Sequence, residues 1–365
     1  MKDFRKKVGR KCGKVGRKHL SLPKKVGRKL KIQEKMANRL ETLVAHYRAL
    51  EIDRQIDYDK FYLYSLIPHS TAIEGSTITE LENQIMFDHG VSLKGKSIEE
   101  QSMNLDLKEA YEKAIELAKS HTPITTEMLV SLSAMVMKNT GKEYKTMLGD
   151  FSSARGELRL LNVTAGVGGR SYMNYSKIPT KLAEFCNKLN EERQHIAGKS
   201  IDELYQLTFD AHFDLVTIHP WADGNGRMAR LVMNMLQFEF GLIPTKILRE
   251  DKEEYIKALV ATREEDDLNI FRSFMSLMME RNLTAEINTY LQSIGESVPK
   301  DGKKTEKSRE KIIQLLSEDG KLSAAGLAER LGITAKAVEK HLARLKADGV
   351  IERIGPAKGG YWKVK

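Results

Sequence analysis

Cysteine is almost absent from this chain, with only Cys12 and Cys186 among 365 residues. The two stand far apart, with neither a CxxC pair nor the closely spaced even set of a disulfide framework, which argues against a stapled secreted scaffold. No apolar run approaches the ~18 residues needed to cross a bilayer. The basic N-terminus also lacks the apolar core of a secretory signal, since Leu20, Ser21, Leu22 and Pro23 are followed at once by Lys24 and Lys25. These absences set the expectation of a cytoplasmic protein with no membrane partner. What is present is a hydrophobic fraction of 41%, suited to a soluble globular protein long enough for two domains.

The net charge of +10 is unevenly spread. Residues 1–30 hold 13 Lys and Arg against Asp3 alone, and residues 303–365 hold 15 against 8 Asp and Glu, so the stretch between them is acidic. Only the two ends invite a polyanion. The N-terminal end repeats KVGRK from Lys7, Lys14 and Lys25. With glycine in every unit and few bulky apolar residues, residues 1–30 are expected to be a disordered basic tail. Such a tail is either a solvated appendage or a non-specific contact for nucleic acid or an acidic surface.

From Lys31 the pattern is helical. Apolar residues recur at three- and four-residue spacing over 32–50, 98–119, 125–139, 178–195, 200–216, 225–241 and 267–291. Ser97 before IEEQ and Thr125 before Thr126-Glu127 supply helix starts. One stretch departs from this habit: Leu158 to Tyr175 alternates and carries Gly166, Gly168 and Gly169, which reads as a β-hairpin or flap. The fold class expected is mainly α. One domain is assigned to 31–295, a linker to 296–305 and a second module to 306–365.

The densest chemistry lies in HPWADGNGRMAR, from His219 to Arg230. Gly224, Asn225 and Gly226 stand where the chain turns into a helix. Converging backbone N–H groups and the helix N-terminus make such a turn a cradle for a pyrophosphate. Arg227 and Arg230 project from neighbouring positions on that helix and can each fork onto a phosphate. Asp223 offers the single carboxylate that suits Mg²⁺, which takes its remaining oxygens from nucleotide and water. His219 supplies a base able to accept a proton from an attacking hydroxyl near neutral pH.

This segment resembles the signature of the Fic (filamentation induced by cyclic AMP) family, HPFx(D/E)GNGRxxR, with Trp221 where phenylalanine is usual. The helical pattern over about 95–290 is also similar to a Fic domain, including His212 ahead of the motif and Tyr255 after it. The resemblance implies a protein adenylyltransferase that moves AMP from ATP to a Tyr, Thr or Ser hydroxyl of a target protein. It makes His219 the base, Asp223 the Mg²⁺ ligand, Gly224, Asn225 and Gly226 the anion hole, and Arg227 and Arg230 the phosphate clamps. The 158–175 flap would hold the target by strand addition. Where relatives place an asparagine to hold the adenine, this chain has Arg263-Glu264-Glu265, which leaves Tyr255 either an adenine contact or a core residue.

Upstream, Ser70-Thr71-Ala72-Ile73-Glu74-Gly75 is read as the end of a short helix that starts near Pro68 and is capped by Gly75, with Glu74 at its C-terminus. A carboxylate there opposes the helix dipole unless a cation is near. The segment is similar to the (S/T)xxxE(G/N) inhibitory helix of many Fic proteins. That likeness pairs Glu74 with Arg230 and implies autoinhibition involving Ser70, Glu74 and Gly75. In some relatives the same glutamate also serves removal of AMP.

Residues 306–365 resemble a winged helix-turn-helix: three helices, then VIERI and YWKV around a glycine-rich turn. Lys336, Lys340 and Arg344 fall at four-residue spacing on the third helix, a face suited to DNA. A protein-interaction or dimerisation role is the other reading. The partners expected are therefore ATP, Mg²⁺, an unidentified target protein and DNA, with self-modification and an oligomer left open. Two alternatives to AMP transfer stand beside it: a nucleotide-responsive DNA-binding regulator, and a Fic enzyme that transfers another phosphate-containing group.

Overall fold

Serine, threonine and glutamate set where the helices begin. In the computed structural model, which describes residues 39–54, 58–164, 171–294, 311–317, 319–320, 322–331, 335–347, 350–354 and 361–364, α1 covers 39–49 and α2 Tyr58–Ile73. α3 (Glu80–His89), α4 (Ile98–Lys119) and α7 (Ile201–Ile218) each open on a reciprocal capping box, Thr79 with Glu82, Ser97 with Glu100 and Ser200 with Glu203. Each cap satisfies helix N–H groups that would otherwise lack partners and contributes about 1 kcal/mol. Thr125 caps α5 (Thr126–Val136) in the simpler way, accepting from Met128 N–H at 3.2 Å. α6 (Ile178–Gln194), α8 (Asn225–Glu239), α9 (Lys252–Glu265) and α10 (Leu268–Ser293) follow.

α8 is the axis of the larger unit. Its residues from Arg227 to Gln237 are buried on every side, which marks a central helix rather than an amphipathic surface one. It packs chiefly against α7 and α4, while α4 also meets α5 and α2. One polar cluster inside this core is well matched. Gln237, fully buried, accepts from Thr245 N–H at 2.7 Å and from Asn234 at 3.0 Å, and donates to the hydroxyls of Thr208 and Thr245, both at 3.0 Å. Asn234 in turn accepts from Tyr111 Oη at 2.7 Å. The Cys186 thiol is buried and its pKa is pushed up to about 11 by that burial, so it is an inert filler.

One expectation is corrected here. Pro68 does not open a short helix: it lies inside α2, ten residues after Tyr58. A proline in a helix interior costs about 3 kcal/mol, and burial of Tyr62, Leu63, Leu66 and Ile67 offsets it. A regular hairpin stands ahead of the 158–175 segment. It is formed by β1 (Glu143–Thr146) and β2 (Gly149–Ser152), paired antiparallel with Thr146 opposite Gly149 across Met147 and Leu148. The described part of 158–175 forms no strand; one antiparallel bridge joins Thr164 to Ser171, and Tyr172 N–H donates to Val163 O at 3.0 Å.

The chain divides into two compact units between Ile287 and Asn288. The smaller contains α11 over 311–317, α12 (Ala324–Leu331), α13 (Ala335–Ala347) and an antiparallel pair, β3 (Ile351–Ile354) with β4 (Tyr361–Val364). Ile312, Leu316, Leu327, Val338, Leu342, Leu345 and Ile351 form its core. Lys336, Lys340 and Arg344 belong to α13, and their side chains lie outside the described ones. The basic tail over 1–30 and the linker over 296–305 lie outside the described residues as well. No helix among the described residues is long and apolar enough to cross a membrane.

Removal of the Gln237 side chain tests how the core is held. Gln237→Ala leaves Thr245 N–H, Thr208 and Asn234 without their buried partner, and should lower unfolding stability by about 2–4 kcal/mol in urea titration. A loss below ~1 kcal/mol would show that the network contributes little.

Candidate active site

α7 ends where its chemistry begins. His219 is the C-cap residue, with φ at +53° in the left-handed region, and its N–H still bonds Leu215 O at 3.0 Å. Pro220 then prevents continuation of the helix. The loop that follows is closed by Asn225, whose side chain accepts from Trp221 N–H at 3.0 Å and donates to Trp221 O at 2.8 Å. The Trp221 indole is fully buried and donates to Gly156 O at 2.9 Å. Asn225 therefore faces a ligand only through its main chain; its amide is committed to the loop.

Asp223 Oδ1 accepts from Gly224 N–H at 2.6 Å and stands 3.8 Å from Arg227, with its side chain 53% exposed. Gly224 starts α8 at φ +80°, and a Cβ there would meet Met137 Sδ at 2.7 Å. The first backbone bond from this end is Met228 N–H to Gly224 O, at 2.9 Å. The N–H groups of Asn225, Gly226 and Arg227 precede it, so the turn presents donors with no partner inside the helix.

Both arginines are buried beneath this end of α8. Arg230 is well supplied: Nε donates to Ser70 Oγ at 2.8 Å, and Nη2 donates to Ser70 O at 3.0 Å and Glu74 Oε1 at 2.6 Å. Arg227 is poorly supplied. Its closest contacts are Val136 O at 3.4 Å and the Met137 thioether at 3.0 Å, a weak acceptor, and its Nε has no hydrogen-bond partner among the described residues. Burial pulls its pKa down, against the raising effect of Glu74.

Glu74 lies just past α2, with its side chain 34% exposed. Its Oε1 would be 2.9 Å from a Cβ at position 226, so the absence of a side chain at Gly226 is what lets the carboxylate settle against the start of α8. Burial raises the Glu74 pKa, but the charges of Arg230, Arg227 and Lys252 and the bond from Arg230 outweigh it and hold the group below its usual value. Gly75, at φ +110°, turns the chain away. The structure thus brings Ser70, Glu74, Gly226 and Arg230 together.

His219 is held as a neutral imidazole. Its Nδ1 faces Val216 O at 3.3 Å, which assigns the ring proton to Nδ1 and the lone pair to Nε2. Burial lowers its pKa to about 4 against the opposing hydrogen bond to Val216 O, and the positive charges of Arg159 and Arg263 lower it further. Three residues around it were not foreseen as part of the site. Arg159, 1% exposed, donates to the carbonyls of His219 at 2.8 Å, Leu161 at 2.6 Å and Met173 at 2.5 Å. It ties both sides of the 158–175 segment to the base. Tyr172 stacks on the imidazole, and Arg263 lies over the Tyr172 ring.

Of the two readings open for Tyr255, core packing accounts for its contacts among the described residues. Its ring is buried beside His212, Phe271 and Phe274, its hydroxyl is 2.9 Å from His212 Nε2, and burial raises its pKa to about 12. It is a core residue behind Arg230.

Residues 123–237 match the Fic/DOC family model, and residues 305–352 match a model described as winged helix-turn-helix DNA-binding. A protein adenylyltransferase fic-1 of Caenorhabditis briggsae is 26% identical over 227 residues, covering 62% of this chain and 41% of that protein. A protein adenylyltransferase Fic of Nematostella vectensis is 27% identical over 223 residues, 60% of this chain and 47% of that one. The chain thus spans less than half the length of these relatives. Among solved structures, Fic-1 of C. elegans aligns with a TM-score of 0.60 at 22% identity, over 73% of this chain and 76% of its own. A Fic domain-containing signaling protein of Bacteroides thetaiotaomicron aligns at 0.58 and 21%, over 72% and 99%. Motif, fold and family model converge: the chain carries a Fic domain followed by a winged helix-turn-helix.

Proposed function

We propose that the Fic domain transfers AMP from ATP to a Tyr, Thr or Ser hydroxyl of a target protein, and that Glu74 restrains it. The observation that carries this reading is an internal anion at the start of α8: the Glu74 carboxylate rests against Gly226 and pairs with Arg230. A helix N-terminus over two buried arginines is built to hold negative charge. The names of the relatives supply the transferred group.

In the transfer, the target hydroxyl oxygen attacks the α-phosphorus of ATP and its proton passes to His219 Nε2. The bond from the α-phosphorus to the bridging oxygen breaks, and pyrophosphate leaves with that electron pair. Main-chain N–H groups of Asn225, Gly226 and Arg227 stabilise charge on the phosphates, and Arg227 gains the strong acceptor that Val136 O and Met137 do not provide. Among the described residues no cluster of three metal-ligating side chains exists. The exposed Asp223 carboxylate is the residue that would hold Mg²⁺, with phosphate oxygens and water completing the shell. Such an ion would neutralise charge on the departing pyrophosphate.

The Glu74 carboxylate and a nucleotide phosphate compete for Arg230. Glu74→Gly should therefore raise AMP incorporation from labelled ATP about tenfold or more, within the range of ordinary coupling energies. Adding His219→Ala to that variant should lower the rate by roughly 10²–10⁴. Mass spectrometry of the products separates the readings: AMP adducts support this one, phosphate adducts another transfer, and no adduct from Glu74→Gly leaves a nucleotide-responsive regulator. Equal rates for wild type and Glu74→Gly would remove the restraint.

For the smaller unit we infer contact with duplex DNA, supported by the described match of residues 305–352 and by the spacing of Lys336, Lys340 and Arg344 along α13. Lys340→Ala combined with Arg344→Ala should weaken binding to random-sequence duplex and flatten its salt dependence by about two phosphate contacts. Absence of binding by the unaltered protein at low salt would point to a protein-interaction role.

A further inference from the structure

A catalytic imidazole must be aimed as well as neutral, and most of what aims His219 lies outside the motif. Its backbone is bent into the left-handed region, and Arg159 grips its carbonyl. These contacts fix the main chain and leave the ring free to turn about its side-chain bonds. The one hydrogen bond to the ring, from Nδ1 to Val216 O, is long at 3.3 Å. The ring therefore needs another restraint.

Tyr172 supplies it. Its ring lies 3.7 Å from the imidazole between centroids, with the two planes 16° apart, so one face of His219 is covered. Tyr172 is itself held at both ends. Its N–H donates to Val163 O at 3.0 Å, and the Arg263 guanidinium lies over its ring, 5.0 Å from the centroid. The next carbonyl, Met173 O, accepts from Arg159. Residues from three places in the chain thus meet at one imidazole.

Resting on the reading of His219 as the base, we propose that Tyr172, held by Arg263, is a positioning residue that sets the plane of the His219 ring and so the direction of the Nε2 lone pair. It touches neither ATP nor the target in this role and acts through His219. Covering the face also keeps water from it. The charged groups that act on His219 are Arg159 and Arg263, both cationic, and they add to burial in disfavouring imidazolium. His219 is consequently neutral near physiological pH. Opening one face to water relaxes the burial, so without Tyr172 the ring titrates closer to the ordinary 6.5.

Histidine-labelled NMR reads the ring without any need for turnover. In Tyr172→Ala the ring-current shift of His219 should vanish and its titration midpoint should rise from about 4 towards 6.5. Tyr172→Phe keeps the stacked ring and should retain both features, and Arg263→Met should give an intermediate midpoint. In the Glu74→Gly background, Tyr172→Ala should lower kcat about ten- to a hundredfold with little change in KM for ATP. The acid limb of its pH profile should move up, and Tyr172→Phe should restore the parent rate. An unchanged His219 signal in Tyr172→Ala, or an altered signal with an unchanged kcat, would overturn the proposal. A parent that transfers no AMP while the NMR changes appear as stated would instead remove the assignment of His219 as base and leave the stack standing.

Discussion

A buried concentration of positive charge beneath the first turn of α8 is the constraint to which the rest of the larger unit answers. Arg227 and Arg230 are each no more than 3% exposed, and the N–H groups of the turn point the same way. Charges removed from water to this degree must be met by acceptors or they destabilise the fold by several kcal/mol each. Arg230 is met by Ser70 and Glu74, both brought in by α2, whereas Arg227 is met by a distant carbonyl, a thioether and, at 3.8 Å, the exposed Asp223 carboxylate. The unequal supply is informative. The protein satisfies one cation from within and leaves the other short of a strong partner, which is the arrangement expected where an outside anion completes the set.

The same constraint explains why α2 keeps a proline in its interior. The helix has to reach from its apolar anchor at Tyr62–Ile67 to the level of Arg230, and Pro68 lies between the two. Beyond Ile73 the chain leaves helical geometry, with Glu74, Gly75 and Ser76 N–H groups bonding back to Thr71 and Ala72 carbonyls. That turn puts Glu74 opposite Gly226. A side chain at 226 would hold the carboxylate off, so the glycine of the motif is what admits the internal anion.

Much of this was legible in the sequence because it is contiguous. The His219–Arg230 segment carries its own turn, donors and base within one loop and one helix, and its apolar spacing located α8. Helices with strong capping residues and clear periodicity, α4 and α7 above all, were equally plain. What escaped was spread along the chain. Arg159, Tyr172 and Arg263 meet His219 from separate segments, and an alternating LRLL stretch does not announce that its arginine is buried against carbonyls. Pro68 misled because the local rule for proline at a helix start is usually sound, and only tertiary burial of α2 overrides it. The hairpin over 143–152 was missed since its turn, Met147–Leu148, lacks the asparagine or glycine that marks tight turns.

The electrostatics also limit how the Glu74 contact can be undone. Its carboxyl is held below the usual value, so it stays ionised at any pH above its ordinary 4.5, and an arginine does not lose its proton in a folded protein. Protonation therefore does not open this pair at any pH above the ordinary carboxylate range. Its release requires exchange: another anion must take the Arg230 side, or another cation must take Glu74, in one concerted substitution. Lys252 already contributes attraction for Glu74 from α9, which gives the displaced carboxylate a second positive neighbour. On the proposed function, restraint and substrate binding are two states of one charge-compensation problem, separated by which anion faces the amino end of α8.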